Sequence, residues 1–176
     1  MFKKVLVALD GSDHAGKALD LAVELARTSK AAITILNVAS DKPLTQGEAQ
    51  LARAEFRSEV GQALNVPQFI QDSANTTTTD ALTQASQSAG LAVRQSIGQR
   101  LVEMGAAEAK RKGVSPISTR VEVGDSAAAI LAVADEEKSD FIVMGTRGLG
   151  SIKGLLLGSV SHKVVQLAHC SVITVK

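Results

Sequence analysis

The residues best placed to do chemistry lie in the last third of the chain. Gly145-Thr146-Arg147-Gly148 is followed, nine residues later, by Gly158-Ser159. Glycines at this spacing let backbone N–H groups approach an anion closely. Arg147 could pair with a phosphate or lie in solvent. Ser159 and Ser161 could each cap a helix or donate a hydroxyl to the same anion. Near the start, Asp10-Gly11-Ser12 is a second polar group. Asp10 could accept hydrogen bonds from a ligand, or only cap the turn with Gly11. Lys153 and Lys163 could reach a terminal phosphate, or be ordinary surface lysines. His14 and His162 read as helix-start residues rather than catalytic bases, and Cys170 as a small core residue.

Other chemistries lack their residues. There is no Gly-Lys-Ser/Thr phosphate loop and no GxGxxG after a first strand. No cluster has zinc-ligand spacing and there is no GxSxG turn, so no catalytic and no metal-ligating residue is assigned. Apart from Asp10 and Asp125, no acid is placed to hold a metal for phosphoryl transfer. A formal charge of +1 argues against a nucleic-acid or anionic-membrane partner. Aromatics are 2%, with no Trp or Tyr, so base-stacking platforms are scarce and a free nucleotide ranks above a polynucleotide. The single cysteine fits a reducing compartment. The apolar run after Lys4 is too short for a signal peptide, and the longest one, residues 127–134, is far below a membrane span. A soluble, cytoplasmic protein is expected.

The elements that must position these residues follow from periodicity. Residues 5–9 form an unbroken apolar run ending at Asp10, as expected of a strand buried on both faces. Ser12 or Asp13 can cap the following helix, whose inner face carries Ala15, Ala18, Leu19, Ala22, Leu25 and Ala26. Residues 31–38 form a second strand. Residues 46–60 can form a helix, and residues 65–79 read as a loop. From Asp80 to about Gly113 a helical stripe recurs: Leu82, Ala85, Ala89, Val93, Ile97, Leu101 and Met104. Lys110, Arg111 and Lys112 suit its C-terminal end. Strands are expected at residues 117–123, 141–144 and 171–175, with helices at 127–137 and 160–168. The alternation predicts one doubly wound open α/β domain over residues 1–176, with a long helical and loop excursion at about 41–113.

The spacing G-x2-G-x9-G-[ST] resembles the nucleotide-binding branch of the universal stress protein family, and the likeness runs from the first strand to the last. The resemblance implies a five-stranded parallel sheet in the order 3-2-1-4-5, with helices on both faces. Strands one and four then meet at the point where the order reverses, and a ligand sits beyond their C-terminal ends. It implies that Asp10 meets the adenosine end, with Ala8 and Leu9 leading into it, and that the Val38 backbone meets adenine. Met144, Gly145 and Gly148 match the loop beside ribose and phosphate, with Arg147 inside it. Gly158, Ser159, Val160 and Ser161 match the phosphate turn. The implied ligand is ATP, with Mg2+ or Mn2+ as an optional companion. The implied role is a stress-response or regulatory binding module with at most slow hydrolysis. A homodimer through antiparallel pairing of residues 172–175 (Val172 to Val175) is also implied. Three readings stay open beside it: an AMP or cyclic AMP binder, a nucleotide-independent dimeric scaffold, and an adenylyl-transferring enzyme. The chain departs from the family at Ala8 and Ser171, where many relatives have proline, and in its longer middle region.

Overall fold

Five short segments become the five strands of one parallel sheet in the computed structural model, which describes residues 2–41, 78–149 and 157–176. The elements run β1 (Lys4–Ala8), α1 (Asp13–Ser29), β2 (Ala32–Ala39), α2 (Thr78–Arg111), β3 (Ile117–Val123), α3 (Ser126–Glu137), β4 (Phe141–Gly145), α4 (Ser159–Leu167) and β5 (Ser171–Val175). The strand order is β3-β2-β1-β4-β5, so the expected 3-2-1-4-5 arrangement is the one observed. β1 pairs with β2 on one side (Val7↔Ile35) and with β4 on the other (Val7↔Val143), which makes it the central strand.

The unbroken apolar runs are explained by burial on both faces. Val5, Val7, Ile33, Ile35 and Val143 pack with Ala15, Ala18, Ala22, Val23 and Ala26 of α1 and with Val102 and Ala109 of α2. Leu6, Leu36, Ile142 and Met144 face the other way, onto Ala127, Ile130, Val133 and Ala134 of α3 and Val164 of α4. Each such valine, leucine or isoleucine contributes about 1.5–3 kcal/mol relative to exposure, so a polar alternation along β1 would be destabilising. The alanines of α1 and α3 let those helices sit close to the sheet.

Helix starts follow their caps. Ser12 Oγ accepts from Ala15 N at 3.2 Å, so of the two candidates it is Ser12 that caps α1. Asp125 Oδ1 accepts from Ala128 N at 3.0 Å and caps α3. α2 corrects two expectations. It begins at Thr78, inside the segment read as a loop. Its inward stripe keeps Val93 from the expected one, with Ile97 and Leu101 partly buried, but runs on through Gly98, Val102, Gly105 and Ala109, while Met104 is 70% exposed. The physical reason is close approach. A Cβ on Gly105 would lie 3.2 Å from Leu9 Cδ1, and one on Gly98 would collide with Asn37 Oδ1. The helix therefore seats on glycines, which a stripe drawn through large apolar residues does not register. The helix expected at 46–60 and the loop at 65–77 lie outside the described residues.

Charged pairs fasten the outer surfaces. Lys112 reaches Asp20 at 2.9 Å and Glu108 at 3.1 Å, joining α2 to α1, and Arg111 pairs with Glu108. The basic cluster at 110–112 thus includes two residues engaged with the protein's own acids. Arg120 spans Glu122 and Glu136 on the far edge of the sheet. At the N-terminal end of the sheet, Asp140 accepts the amides of Lys3 at 2.6 Å and Lys4 at 2.9 Å, tying the start of β4 to the start of β1. No helix among the described residues is long and apolar enough to cross a membrane.

Candidate functional site

Strand order β2-β1-β4 brings two distant polar groups to one rim. β1 is followed by Leu9 and Asp10, and β4 ends at Gly145, so the first turn and the glycine loop emerge side by side. They touch directly. Asp10 Oδ1 accepts Ser12 N at 3.0 Å, and Asp10 Oδ2 accepts Leu149 N at 3.2 Å. Ser12 Oγ, besides capping α1, lies 3.4 Å from Arg147 O. The turn-capping reading of Asp10 is therefore realised, with Gly11 at φ +83° beside it. The carboxylate also crosses to the loop. Two amides use only part of its capacity, since an ionised carboxylate has about four lone-pair sites.

Thr146 holds the loop in place. Its N–H and its hydroxyl both donate to Val175 O, at 2.7 and 3.1 Å. With that hydroxyl proton committed, His14 Nδ1 is left as the donor in its 3.1 Å contact with Thr146 Oγ1. Thr146 O in turn accepts Gly158 N at 2.7 Å and Ser161 Oγ at 2.8 Å. One buried residue thus links the first turn of α1, the end of β5 and the start of α4. His14 is a loop-positioning group in this arrangement, in keeping with its reading as structural.

The three motif glycines differ. A Cβ on Gly145 would lie 2.8 Å from His14 Cβ, and one on Gly148 would collide with Asp10 Oδ2. Gly145 is pressed by backbone as well as side chain, whereas at Gly148 the group in the way is the Asp10 carboxylate, which could move only by giving up its bond to Leu149 N. Gly158 has φ −74°, open to any residue, and a Cβ there would meet nothing closer than 3.5 Å. The protein itself does not demand a glycine at that position. Gly158 is also the N-cap of α4, and no side chain caps that helix. Its first-turn N–H groups have no intrahelical acceptors by the geometry of any helix start. The sequence had offered Ser159 and Ser161 as caps. Instead, Ser159 is the first helical residue, and Ser161 Oγ is buried and donates to Thr146 O and Gly158 O.

Four of the remaining expected residues fall on the α3/α4 side of the sheet. Ala8, Val38 and Val160 are half-buried against the cluster that contains Met144. Leu9 faces α1 and α2, and its carbonyl accepts Asn37 Nδ2 at 2.7 Å. Asn37 is buried and had no assigned role from the sequence; a polar residue inside the apolar run of β2 was its only signal. Arg147 Nε is buried and has no hydrogen-bond partner among the described residues. Lys163 lies 3.4 Å from Asp125, so both are engaged with each other. Lys153 lies outside the described residues. Cys170 packs against the α3/α4 core, and burial pushes its thiol pKa up. No group of three or more His, Cys, Asp and Glu gathers among the described residues.

The same α/β fold recurs in known proteins. The universal stress protein family matches residues 1–176, the whole chain. The chain belongs to the universal stress protein family. Universal stress protein YxiE of Bacillus subtilis is 34% identical over 177 residues, covering all of both chains. Among solved structures, universal stress protein UspA from Lactobacillus plantarum superposes with a TM-score of 0.66 at 22% identity, covering 99% of this chain and 98% of that one. A universal stress protein crystallised in complex with cAMP superposes with a TM-score of 0.58 at 26% identity, covering 99% and 97%. The sheet order of this universal stress protein fits the fold shared with these solved structures.

Proposed function

We propose that this universal stress protein binds an adenine nucleotide, ATP in the first instance, beyond the C-terminal ends of β1 and β4. Occupancy would tune its contacts in a stress response or other regulatory role, with hydrolysis slow at most. The observation that carries this reading is Gly158. It stands at a helix start with no side-chain cap among the described residues, where the fold leaves room for a methyl group, and the close approach of a phosphate gives the glycine a reason. The residue set is Ala8, Leu9, Asp10, Val38, Met144, Gly145, Arg147, Gly148, Gly158, Ser159, Val160 and Ser161. In it, Asp10 has acceptor capacity for a ribose or base donor, and the first turn of α4 offers its amides to phosphate. The donor set suits a nucleotide better than a protein-held metal, since no group of three or more His, Cys, Asp and Glu gathers among the described residues. Mg2+ or Mn2+, if it accompanies the ligand, would be held chiefly by phosphate and water. The cAMP-bound relative supports an adenine ligand and keeps cyclic AMP or AMP as the competing choice.

Nucleotide content of freshly purified protein is the experiment. With no Trp or Tyr, the chain scarcely absorbs near 280 nm, and bound adenine would dominate the ultraviolet spectrum. ATP at a hundredfold over its dissociation constant should raise stability by about 2.7 kcal/mol. Neither retained nucleotide nor stabilisation by any adenine nucleotide would remove the reading.

Self-association is part of the proposal. β5 pairs only with β4 among the described strands and carries half-buried Val172, Ile173 and Val175 along the sheet edge. Val165 and Leu167 of α4 are exposed, at 45% and 52%. The described part of the excursion, α2, packs on β2 and β3 at the other edge. An apolar edge of this kind favours pairing with a second copy. A dimer at micromolar concentration is expected in sedimentation, and a monomer would count against it. The same edge supports the second reading, a dimeric scaffold that needs no nucleotide.

A further inference from the structure

We propose that Asn37 is a positioning residue for the base end of the crevice: its side chain ends the β1–β2 ladder one bond early and keeps the Val38 N–H open to a ligand acceptor. The proposal rests on the nucleotide reading, in which the Val38 backbone meets the base, and adds the group that makes that amide available. The strand register carries it. β1 and β2 pair from Lys4↔Ala32 to Ala8↔Leu36 and stop there. Ala32 N donates to Lys3 O, and Leu36 O accepts Leu9 N at 2.8 Å, so the even-numbered residues of β2 turn their backbone groups toward β1. The odd-numbered ones turn toward β3, where Ile33 N donates to Pro116 O and Ala39 O accepts Gly124 N. Val38 N therefore points to the β1 side, and in a continued parallel ladder it would donate to Leu9 O. No such bond is found among the described residues. Leu9 O instead accepts Asn37 Nδ2 at 2.7 Å.

α2 holds Asn37 in this role. The side chain is buried, and only the NH2 of a carboxamide can face a carbonyl, so Oδ1 is turned away from Leu9. It is turned toward Gly98, where an added Cβ would collide with it. The same Cβ would lie 3.3 Å from Val121 Cγ1, and one on Gly105 would lie 3.2 Å from Leu9 Cδ1. Gly98 and Gly105 are roughly two helical turns apart and share one face of α2. The helix thus presses on both partners of the bond, on Asn37 through Gly98 and on Leu9 through Gly105. Either glycine replaced by a larger residue would disturb the hold on the Leu9 carbonyl. Val38 itself is half-buried at the C-terminal end of its strand. A backbone donor left out of the ladder there is met by water or by a ligand acceptor, such as a ring nitrogen of a base. Asn37 is not a ligand contact in this arrangement; it acts through the amide of its neighbour.

The test begins with amide hydrogen exchange of the ligand-free protein. In wild type the Val38 amide should exchange at least about tenfold faster than that of Leu36, which lies within the ladder, and Asn37→Ala should slow it by freeing Leu9 O. A Val38 amide as protected as Leu36 in wild type overturns the proposal. Calorimetric titrations with ATP and adenosine follow, with tripolyphosphate in a thermal-shift series. Asn37→Ala should weaken ATP and adenosine by the same factor, about fivefold or more, and change stabilisation by tripolyphosphate less than about twofold. Two further variants separate positioning from packing. Gly98→Ala alone should lower the melting temperature, because its methyl group meets Asn37. Asn37→Ala/Gly98→Ala should recover it, because the methyl group enters the vacated space. Adenosine affinity should stay low in the double variant, which lacks the donor to Leu9 O. Adenosine affinity that recovers together with the melting temperature would make Asn37 a packing residue only and overturn the proposal. The adenine reading can fail separately: if exchange behaves as expected while no adenine compound binds wild type, the nucleotide reading falls and the ladder break made by Asn37 stands.

Discussion

The two ends of the β1–β4 seam use the same device and leave different remainders. At the N-terminal end, Asp140 crosses the seam to accept the amides of Lys3 and Lys4. Phe2 and Phe141 meet edge to face at 4.8 Å beside it. At the C-terminal end, Asp10 crosses the same seam to accept the Leu149 amide while holding Ser12 N. An aspartate bridging two strands is thus a fold element here, and by itself it does not mark a site. Both ends leave a buried polar atom without a partner among the described residues, Ser139 Oγ beside Asp140 and Arg147 Nε in the loop. What marks the C-terminal end is an α4 without a side-chain cap among the described residues and a glycine the packing does not require. A ligand site is recognised by the demands the protein leaves open after its own contacts are counted.

That contrast can be broken most forcefully at Gly148. Any side chain there collides with the Asp10 carboxylate. Gly148→Val should lower stability by about 2 kcal/mol, within the usual range for overpacking, and the melting temperature by roughly 4–8 °C. Thermal unfolding checks it. A melting temperature equal to wild type would mean that the Asp10–loop contact does not hold the seam.

The smaller effect belongs to the opposite end. The two amides of Lys3 and Lys4 hold the Asp140 carboxyl below its ordinary pKa. A carboxylate with a depressed folded pKa stabilises the protein above its unfolded pKa, and the contribution is lost as pH falls through the folded value. Asp140 is exposed, so the gain is modest. Asp140→Asn should therefore be less stable than wild type near neutral pH, with the gap closing in acid. Urea unfolding at neutral pH and at about pH 3, below the ordinary aspartate value, measures it. A gap that persists or widens in acid would show that the carboxylate charge is not what ties this end.

Much of this architecture was legible because strands buried on both faces leave unbroken apolar runs. β1, β2 and β4 were readable on that basis, and the bounds of β3 and β5, only partly buried edge strands, also match those expected. The strand order was not in the runs themselves and came through the family resemblance. What escaped was contact that leaves no local trace. Asn37 finds its partner 28 residues away in Leu9, and Thr146 finds His14 across 132 residues. No spacing within either segment announces such a pair. The stripe of α2 held at Val93 and missed at Met104 for a related reason. Periodicity weighs large side chains, whereas α2 approaches the sheet through Gly98 and Gly105 and leaves Met104 outside. The motif glycines were all visible, but only the packing around them separates Gly145 and Gly148, which the fold requires, from Gly158, which it does not.

Gly158 therefore offers the most direct test of the central claim, since changing it separates binding from folding. ATP is titrated calorimetrically into wild-type protein and into Gly158→Ala, with thermal unfolding of both run alongside. Alanine at an N-cap is expected to lower stability by no more than about 1 kcal/mol. The account predicts that wild type binds, and that the folded alanine variant binds about tenfold more weakly or worse. Equal ATP affinity in the two proteins, or no binding of any adenine nucleotide by wild type, would contradict it and leave the glycine loop as a turn in a dimeric scaffold.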